Sequence, residues 1–185
     1  FDLDNTIYPE IEYIGPIYLH TLSKFIDIKD NNSYLNKFKS FYEINGNKDL
    51  IDGLIFDQSI NKSDFIKQYK INLRGRYLFE KKIKCYPEFI KYIKSNIYNN
   101  LELIILTNGN SDQQKHKLNS LDLGFLENLN IKLIVAEGRL AKPNAEIFYK
   151  NIYQPDCNYV FIGDSKTDKE FSDNAKVPFI NVKDF

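Results

Sequence analysis

From Ile83 to the end of the chain, short apolar runs alternate with stretches whose apolar residues recur every three or four positions. Leu101–Leu106, Ile131–Val135, Tyr159–Ile162 and Pro178–Val182 have strand length and are mostly apolar. The segments Pro87–Tyr98, Gln113–Leu121, Asn144–Tyr153 and Asp168–Ala175 carry helical spacing, as with Phe89, Ile90 and Ile93 on one face. Phe1-Asp2-Leu3 reads as the end of one further strand. Strands joined through helices by short connections predict a parallel sheet covered on both faces, an α/β fold.

The stretch from about Pro16 to Glu80 has a different rhythm. Ile17, Leu19, Leu22, Phe25 and Ile26, then Leu35, Phe38, Phe41 and Tyr42, then Phe65, Ile66 and Tyr69 all fall at helical spacing. Ser63 is placed to cap the last of these helices, while Asn31-Asn32-Ser33 and Asn45-Gly46-Asn47 divide the region into pieces. The expected organisation is a discontinuous core, residues 1–12 and 82–185, interrupted after its first strand by an all-helical insert, residues 13–81.

Composition narrows the function classes. Lys and Arg number 25 and Asp and Glu 25, so there is no net charge to draw the protein to nucleic acid or an anionic membrane. Two cysteines, Cys85 and Cys157, lie far apart without metal-ligand spacing, and both are expected to be buried thiols. No apolar run approaches bilayer-spanning length and no segment reads as a signal peptide, so a cytoplasmic location is expected. His20 and His116 have no neighbouring acid or Ser that suggests a triad. Tyr13, Tyr18, Phe56 and Tyr69 read as helix-packing residues, and Arg74 and Arg76 as solvated arginines or contacts for a second anion.

The ends of three strands change the picture. Ligands of open parallel sheets bind beyond the carboxyl ends of the strands, and there this chain places Asp2 and Asp4, Thr107 and Asn108, and Asp164 and Ser165. Residues i and i+2 of a strand share a face, so Asp2 and Asp4 repel unless a cation or a shared proton separates them. Phosphoryl transfer needs such a set: a nucleophile, cations for the nonbridging oxygens, and fixed donors. Asp2 or Asp4 would attack, Asp164 and Asp168 would bind a metal, Thr107 and Asn108 would donate, and Lys142, before Pro143, would add a second cation. Each has a plainer reading: Asp-x-Asp and Thr-Asn-Gly are ordinary turns, Lys142 a surface lysine, Asp168 an acid favoured by a helix N-terminus.

Taken in order, Phe-Asp-Leu-Asp-Asn-Thr, Leu-Thr-Asn-Gly, Ala-Lys-Pro and Gly-Asp-Ser with a following Asp resemble the four motifs of the haloacid dehalogenase superfamily. The resemblance implies a three-layer Rossmann-like core with sheet order 5-4-1-2-3 and a helical cap of the subfamily I type. It implies Asp2 as nucleophile and Mg²⁺ ligand, and Asp4 as general acid/base lending its main-chain carbonyl to the metal. Thr107 and Asn108 would bind the phosphoryl group, Lys142 would orient and neutralise Asp2, and Asp164, supported by Asp168, would complete the Mg²⁺ site. Dehalogenating and phosphonate-cleaving members lack an acid where Asp4 stands, which favours a phosphatase or phosphomutase. Phe1 through Pro9, with Phe41-Tyr42 and Gly53-Leu54, is similar to the pyrimidine 5′-nucleotidase-like branch, and Thr107-Asn108-Gly109 followed by Gln114 and Lys117-Leu118 resembles acylneuraminate-phosphate and general nucleotide phosphatases.

The expectation is a Mg²⁺-dependent phosphatase of a small phosphorylated metabolite, with a nucleoside 5′-monophosphate first. A sugar phosphomutase and a catalytically silent binding module of the same fold are the alternatives. Monomer or homodimer is expected, with no nucleic-acid or membrane partner. Two departures from the pattern stand out: the spacing from Asp164 to Asp168 is one residue shorter than in many subfamily I members, and Lys176 stands where relatives often carry Gly.

Overall fold

The structure, a computed structural model, describes residues 1–46, 50, 60–96 and 101–185. These divide into two compact units, residues 1–9 with 81–185 and residues 10–80.

The first unit is built on parallel strands. β1 (Ile83–Lys84) pairs with β3 (Leu121–Asp122), β2 (Leu103–Asn108) with β4 (Ile131–Ala136), and β5 (Phe161–Gly163) with β6 (Phe179–Asn181), all parallel. The opening segment Phe1–Leu3 joins the last two pairs. The Phe1 nitrogen donates to Ile104 O at 2.9 Å and Leu106 N to Phe1 O at 2.8 Å on one side, and Asp2 N donates to Ile162 O at 2.9 Å on the other. The spatial order is therefore β6, β5, Phe1–Leu3, β2, β4, the expected 5-4-1-2-3 arrangement. The two-residue β1 and β3 carry too little sequence to show a period and were not expected.

Helices cover this sheet: α4 (Pro87–Asn96), α5 (Ser111–Ser120), α6 (Glu146–Asn151) and α7 (Lys166–Ala175). Leu106, Ala136 and Phe161 from the strands pack with Ile147, Phe148, Phe171 and Ala175 from α6 and α7 in one buried cluster. α4 turns Phe89 and Ile93 inward, with the Phe89 ring edge-on to Phe1 at 5.4 Å between centroids. Burying a side chain such as Ile93 or Phe171 stabilises by about 1.5–3 kcal/mol. Sheet strands covered on both faces need the near-continuous apolar runs that the sequence shows. Of the thiols, Cys85 is buried as expected; Cys157 is exposed, in the loop after α6, where no apolar period constrains it.

The second unit is helical. α1 (Glu10–Leu22) starts a little before the stretch where helical spacing becomes visible in the sequence. Glu10 and Glu12 supply first-turn acids, and Pro16 sits inside the helix, where it removes one backbone donor. α2 (Asn31–Asn45) is capped by Asp30, whose side chain accepts from Asn32 N and Ser33 N, so the Asn-Asn-Ser run opens a helix rather than only breaking one. α3 (Lys62–Ile71) is capped by Asn61 and not by Ser63, whose N–H is one of the two that Asn61 accepts. Tyr18 is packed among Phe38, Phe65 and Tyr69, at centroid distances of 4.7, 5.5 and 6.3 Å. Two buried polar side chains of this unit pair with each other: Asn72 Nδ2 donates to Thr21 Oγ1 at 2.9 Å, which donates to Ile17 O at 2.7 Å. Asn47, Gly53-Leu54, Phe56 and Tyr98 lie outside the described residues.

Candidate active site

Asp2 reaches the site from the segment between β5 and β2. Lys142 comes from the loop before α6, and its main chain is pinned by Asn108: Lys142 N donates to Asn108 Oδ1 at 2.7 Å and Asn108 Nδ2 to Lys142 O at 3.0 Å. The amide of Asn108 is thereby engaged on both sides with a backbone rather than open towards a ligand. So held, Lys142 Nζ lies 2.6 Å from Asp2 Oδ1 and 2.5 Å from Asp168 Oδ1, with the Phe161 ring centroid at 5.3 Å. The peptide bond joining Lys142 to Pro143 is cis.

Asp168 is the third residue of α7 and, with Ser165, closes a capping box. Ser165 Oγ accepts from Asp168 N at 3.2 Å and donates to Asp168 Oδ2 at 2.6 Å, while Ser165 N donates to the same oxygen at 3.2 Å. The helix-acid reading of this residue accounts for one carboxylate oxygen, and the other is the one that faces Lys142. Gly163, at the end of β5, makes room for it: a Cβ there would stand 2.6 Å from Asp168 Cβ. Asp164 follows directly, and carboxylate oxygens of Asp2, Asp164 and Asp168 lie within 4.8 Å of one another.

Such crowding has an electrostatic consequence. Burial pushes the Asp2 carboxyl up to about 7, with Asp168 and Asp4 adding to the rise against the pull of Lys142. Burial, then the charge of Asp168, pushes Asp164 up to about 6. Burial alone would lower the Lys142 ammonium, but Asp2 and Asp168 together hold it above its ordinary value. Three ionised carboxylates against one ammonium leave two negative charges in excess. A hard divalent cation with oxygen ligands fits that donor set, with Asp2 and Asp164 the freer of the three because both oxygens of Asp168 are bonded.

Asp4 turns another way. Tyr8 Oη donates to Asp4 Oδ1 and Lys117 Nζ to Asp4 Oδ2, each at 2.6 Å. Thr107, at the end of β2, is buried, and the Asn108–Gly109 turn is braced from α5 by Gln114, whose Nε2 donates to Asn108 O at 3.0 Å. Gly109 has φ of 133°, and a Cβ there would meet Gln114 Nε2 at 2.6 Å. Asp2, Lys142, Asp164 and Asp168 are thus brought together as the sequence suggested, and Asp4, Thr107 and Asn108 sit on the adjoining strand ends and turns. The charge partner of Asp4 was missed. Lys117 lies three residues after Gln114 and one before Leu118, on the stripe an apolar face would occupy, and a lysine there is the signal that was available.

A mixed α/β, Rossmann-like core thus gathers a set of acids and one lysine at the carboxyl ends of parallel strands. The family model described as haloacid dehalogenase-like hydrolase matches residues 1–182, and the chain belongs to that family. No curated protein matches the chain. Among solved structures, a subfamily IA, variant 1 hydrolase of this superfamily from Geobacter sulfurreducens superposes with a TM-score of 0.64 at 16% identity, covering 97% of this chain and 83% of that one. CbbY from Rhodobacter sphaeroides, in complex with phosphate, gives 0.55 at 16% identity over 98% and 83%, and a hydrolase from Streptococcus pneumoniae 0.53 at 18% over 97% and 88%. These likenesses establish the shared fold.

Proposed function

We propose that the protein is a Mg²⁺-dependent phosphomonoesterase working through an aspartyl-phosphate on Asp2. The observation that carries this reading is Lys142 Nζ set between Asp2 and Asp168, with Asp164 in the same carboxylate cluster. Lys142 holds Asp2 as an oriented anion, ready to attack phosphorus in line with the leaving oxygen. Thr107 offers its hydroxyl to the nonbridging oxygens and Asn108 its main chain. Asp4 gives a proton to the departing oxygen, and then as a carboxylate takes one from the water that cleaves the acyl phosphate, which restores Asp2 and releases phosphate. Asp2, Asp164 and the Asp4 main-chain carbonyl would hold Mg²⁺, with Asp168 in support. When bound, the ion supplies positive charge against the phosphoryl oxygens.

A small phosphorylated metabolite is the proposed substrate, a nucleoside 5′-monophosphate first, on the similarity of Phe1 through Pro9 to the nucleotidase-like branch. The helical unit is read as the cap that selects it. Sugar phosphates belong beside nucleotides in a substrate panel, since another CbbY structure of this fold holds xylulose-(1,5)bisphosphate. The test is hydrolysis of an aryl phosphate with Mg²⁺ and with chelator, together with acid-quench trapping of labelled enzyme. Wild type should turn over and trap label only with Mg²⁺, and Asp2→Asn should do neither. Equal, negligible turnover by both on the aryl phosphate and across the panel would sink the hydrolase reading.

A further inference from the structure

Lys117 is 1% exposed, although its side chain ends in a charge. Its ammonium lies 2.6 Å from Asp4 Oδ2, and the Asp4 side chain is 20% exposed. A buried ammonium thus meets a partly exposed carboxylate, and Asp4 is its link to the site. The other oxygen of Asp4 accepts from Tyr8 Oη at 2.6 Å, and Tyr8 is itself fully buried and bridged to Asp4 through the main chain.

Stability does not explain a lysine at this position. Desolvating an ammonium and a carboxylate takes back most of what their attraction gives, and an apolar pair of the same volume holds a fold as well or better. Leu118, the next residue of α5, is half-buried and Leu121, in β3, is buried, so this part of the chain accepts apolar residues. α5 instead turns two polar side chains inward at helical spacing, Gln114 onto the Asn108–Gly109 turn and Lys117 onto Asp4. One helix face thus braces two parts of the site.

We propose that Lys117 is a positioning residue: its buried ammonium, with the Tyr8 hydroxyl, fixes the Asp4 carboxylate at the angle needed to pass a proton to the leaving oxygen and to take one from water. The proposal rests on the reading of Asp4 as the proton carrier. Proton balance is simple. Asp4 loses its proton to the departing alkoxide, regains one from the attacking water, and Lys117 stays an ammonium throughout. A carboxylate left free to rotate loses alignment, and loss of a positioned acid/base lowers rate by about 10²-fold or more.

The experiment is a double-mutant cycle with Mg²⁺ and an aryl phosphate. Lys117→Met should lower kcat about 10²-fold with KM within about twofold, Lys117→Arg should recover part of the loss, and Asp4→Asn/Lys117→Met should be no slower than Asp4→Asn alone. Losses that multiply, or a change confined to KM, would overturn the assignment, because a packing role acts whether or not Asp4 is present. Should Lys117→Met fail to fold, the double variant, which removes both charges, still gives the comparison with Asp4→Asn, and Lys117→Arg the comparison with wild type. Asp4→Asn turning over at the wild-type rate would strike the proton-carrier reading itself, whereas a slow Asp4→Asn with multiplying losses strikes only Lys117.

Discussion

Replacing Asp2 by Asn should remove the nucleophile and yet stabilise the metal-free protein at alkaline pH. Folding lifts this carboxyl from the ordinary 3.8 to about 7, chiefly by burial. A group with a raised folded pKa binds its proton more tightly in the native state, so stability falls as pH rises from the unfolded value through the folded one. At pH 8 nearly the full rise of about three units counts, about 4 kcal/mol at about 1.4 kcal/mol per unit. Asn keeps the shape but leaves Lys142 Nζ with Asp168 alone, and the lost charged hydrogen bond takes back on the order of 1–2 kcal/mol. The net gain is about 2–3 kcal/mol, or roughly 5–10 °C in Tm for a chain of this length. Near pH 4 the native carboxyl of the wild type is already protonated and the gain should vanish. Thermal denaturation with chelator at pH 4.5 and pH 8 tests this. Added Mg²⁺ should raise the Tm of the wild type more than that of Asp2→Asn. An Asp2→Asn protein no more stable than wild type at pH 8 in chelator, or equally favoured at both pH values, would refute the claim that Asp2 is a strained, cation-requiring acid.

Two further changes probe backbone constraints. Gly163→Ala would place a Cβ 2.6 Å from both Cβ and Cγ of Asp168; it should cost about 1–3 kcal/mol by overpacking and, by moving the Asp168 partner of Lys142, lower kcat sharply, which paired melting and rate measurements would show. Lys176 closes α7 in the left-handed region, at φ 55° and ψ 42°, so Lys176→Gly should stabilise by about 0.5–1 kcal/mol in chemical denaturation with kcat unchanged.

Much of this was legible in the sequence because sheet strands and amphipathic helices leave periods behind them. β2, β4, β5 and β6 fell inside or close to the expected runs, and the residues singled out at strand ends and before Pro143 include Asp2, Lys142, Asp164 and Asp168, which lie together. Boundaries were set by capping that periodicity does not carry: Ser165 with Asp168 begins α7 at Lys166 rather than at Asp168, and Asn61 displaces Ser63 as a cap. Asn108 was expected to donate to a ligand, and its amide instead pins the Lys142 main chain, a bond that spans 34 positions of sequence. The pairing of Lys117 was out of reach for a similar reason: its place on the inward stripe of α5 could be read, but its partner is 113 positions away. Lys176 appeared as an unexplained departure from glycine, and its left-handed backbone supplies the reason glycine is favoured there.

The double engagement of Asp168 also fixes the length of the loop that precedes it. One oxygen closes the α7 cap with Ser165 and the other takes the Lys142 ammonium, so the distance in sequence between Ser165 and Asp168 is dictated by the first turn of a helix. An insertion of a single residue there would swing the acid about 100° around the helix and advance it about 1.5 Å, severing both bonds in one event. A longer loop placed here would therefore need its own capping residue as well as its own acid to arrive together.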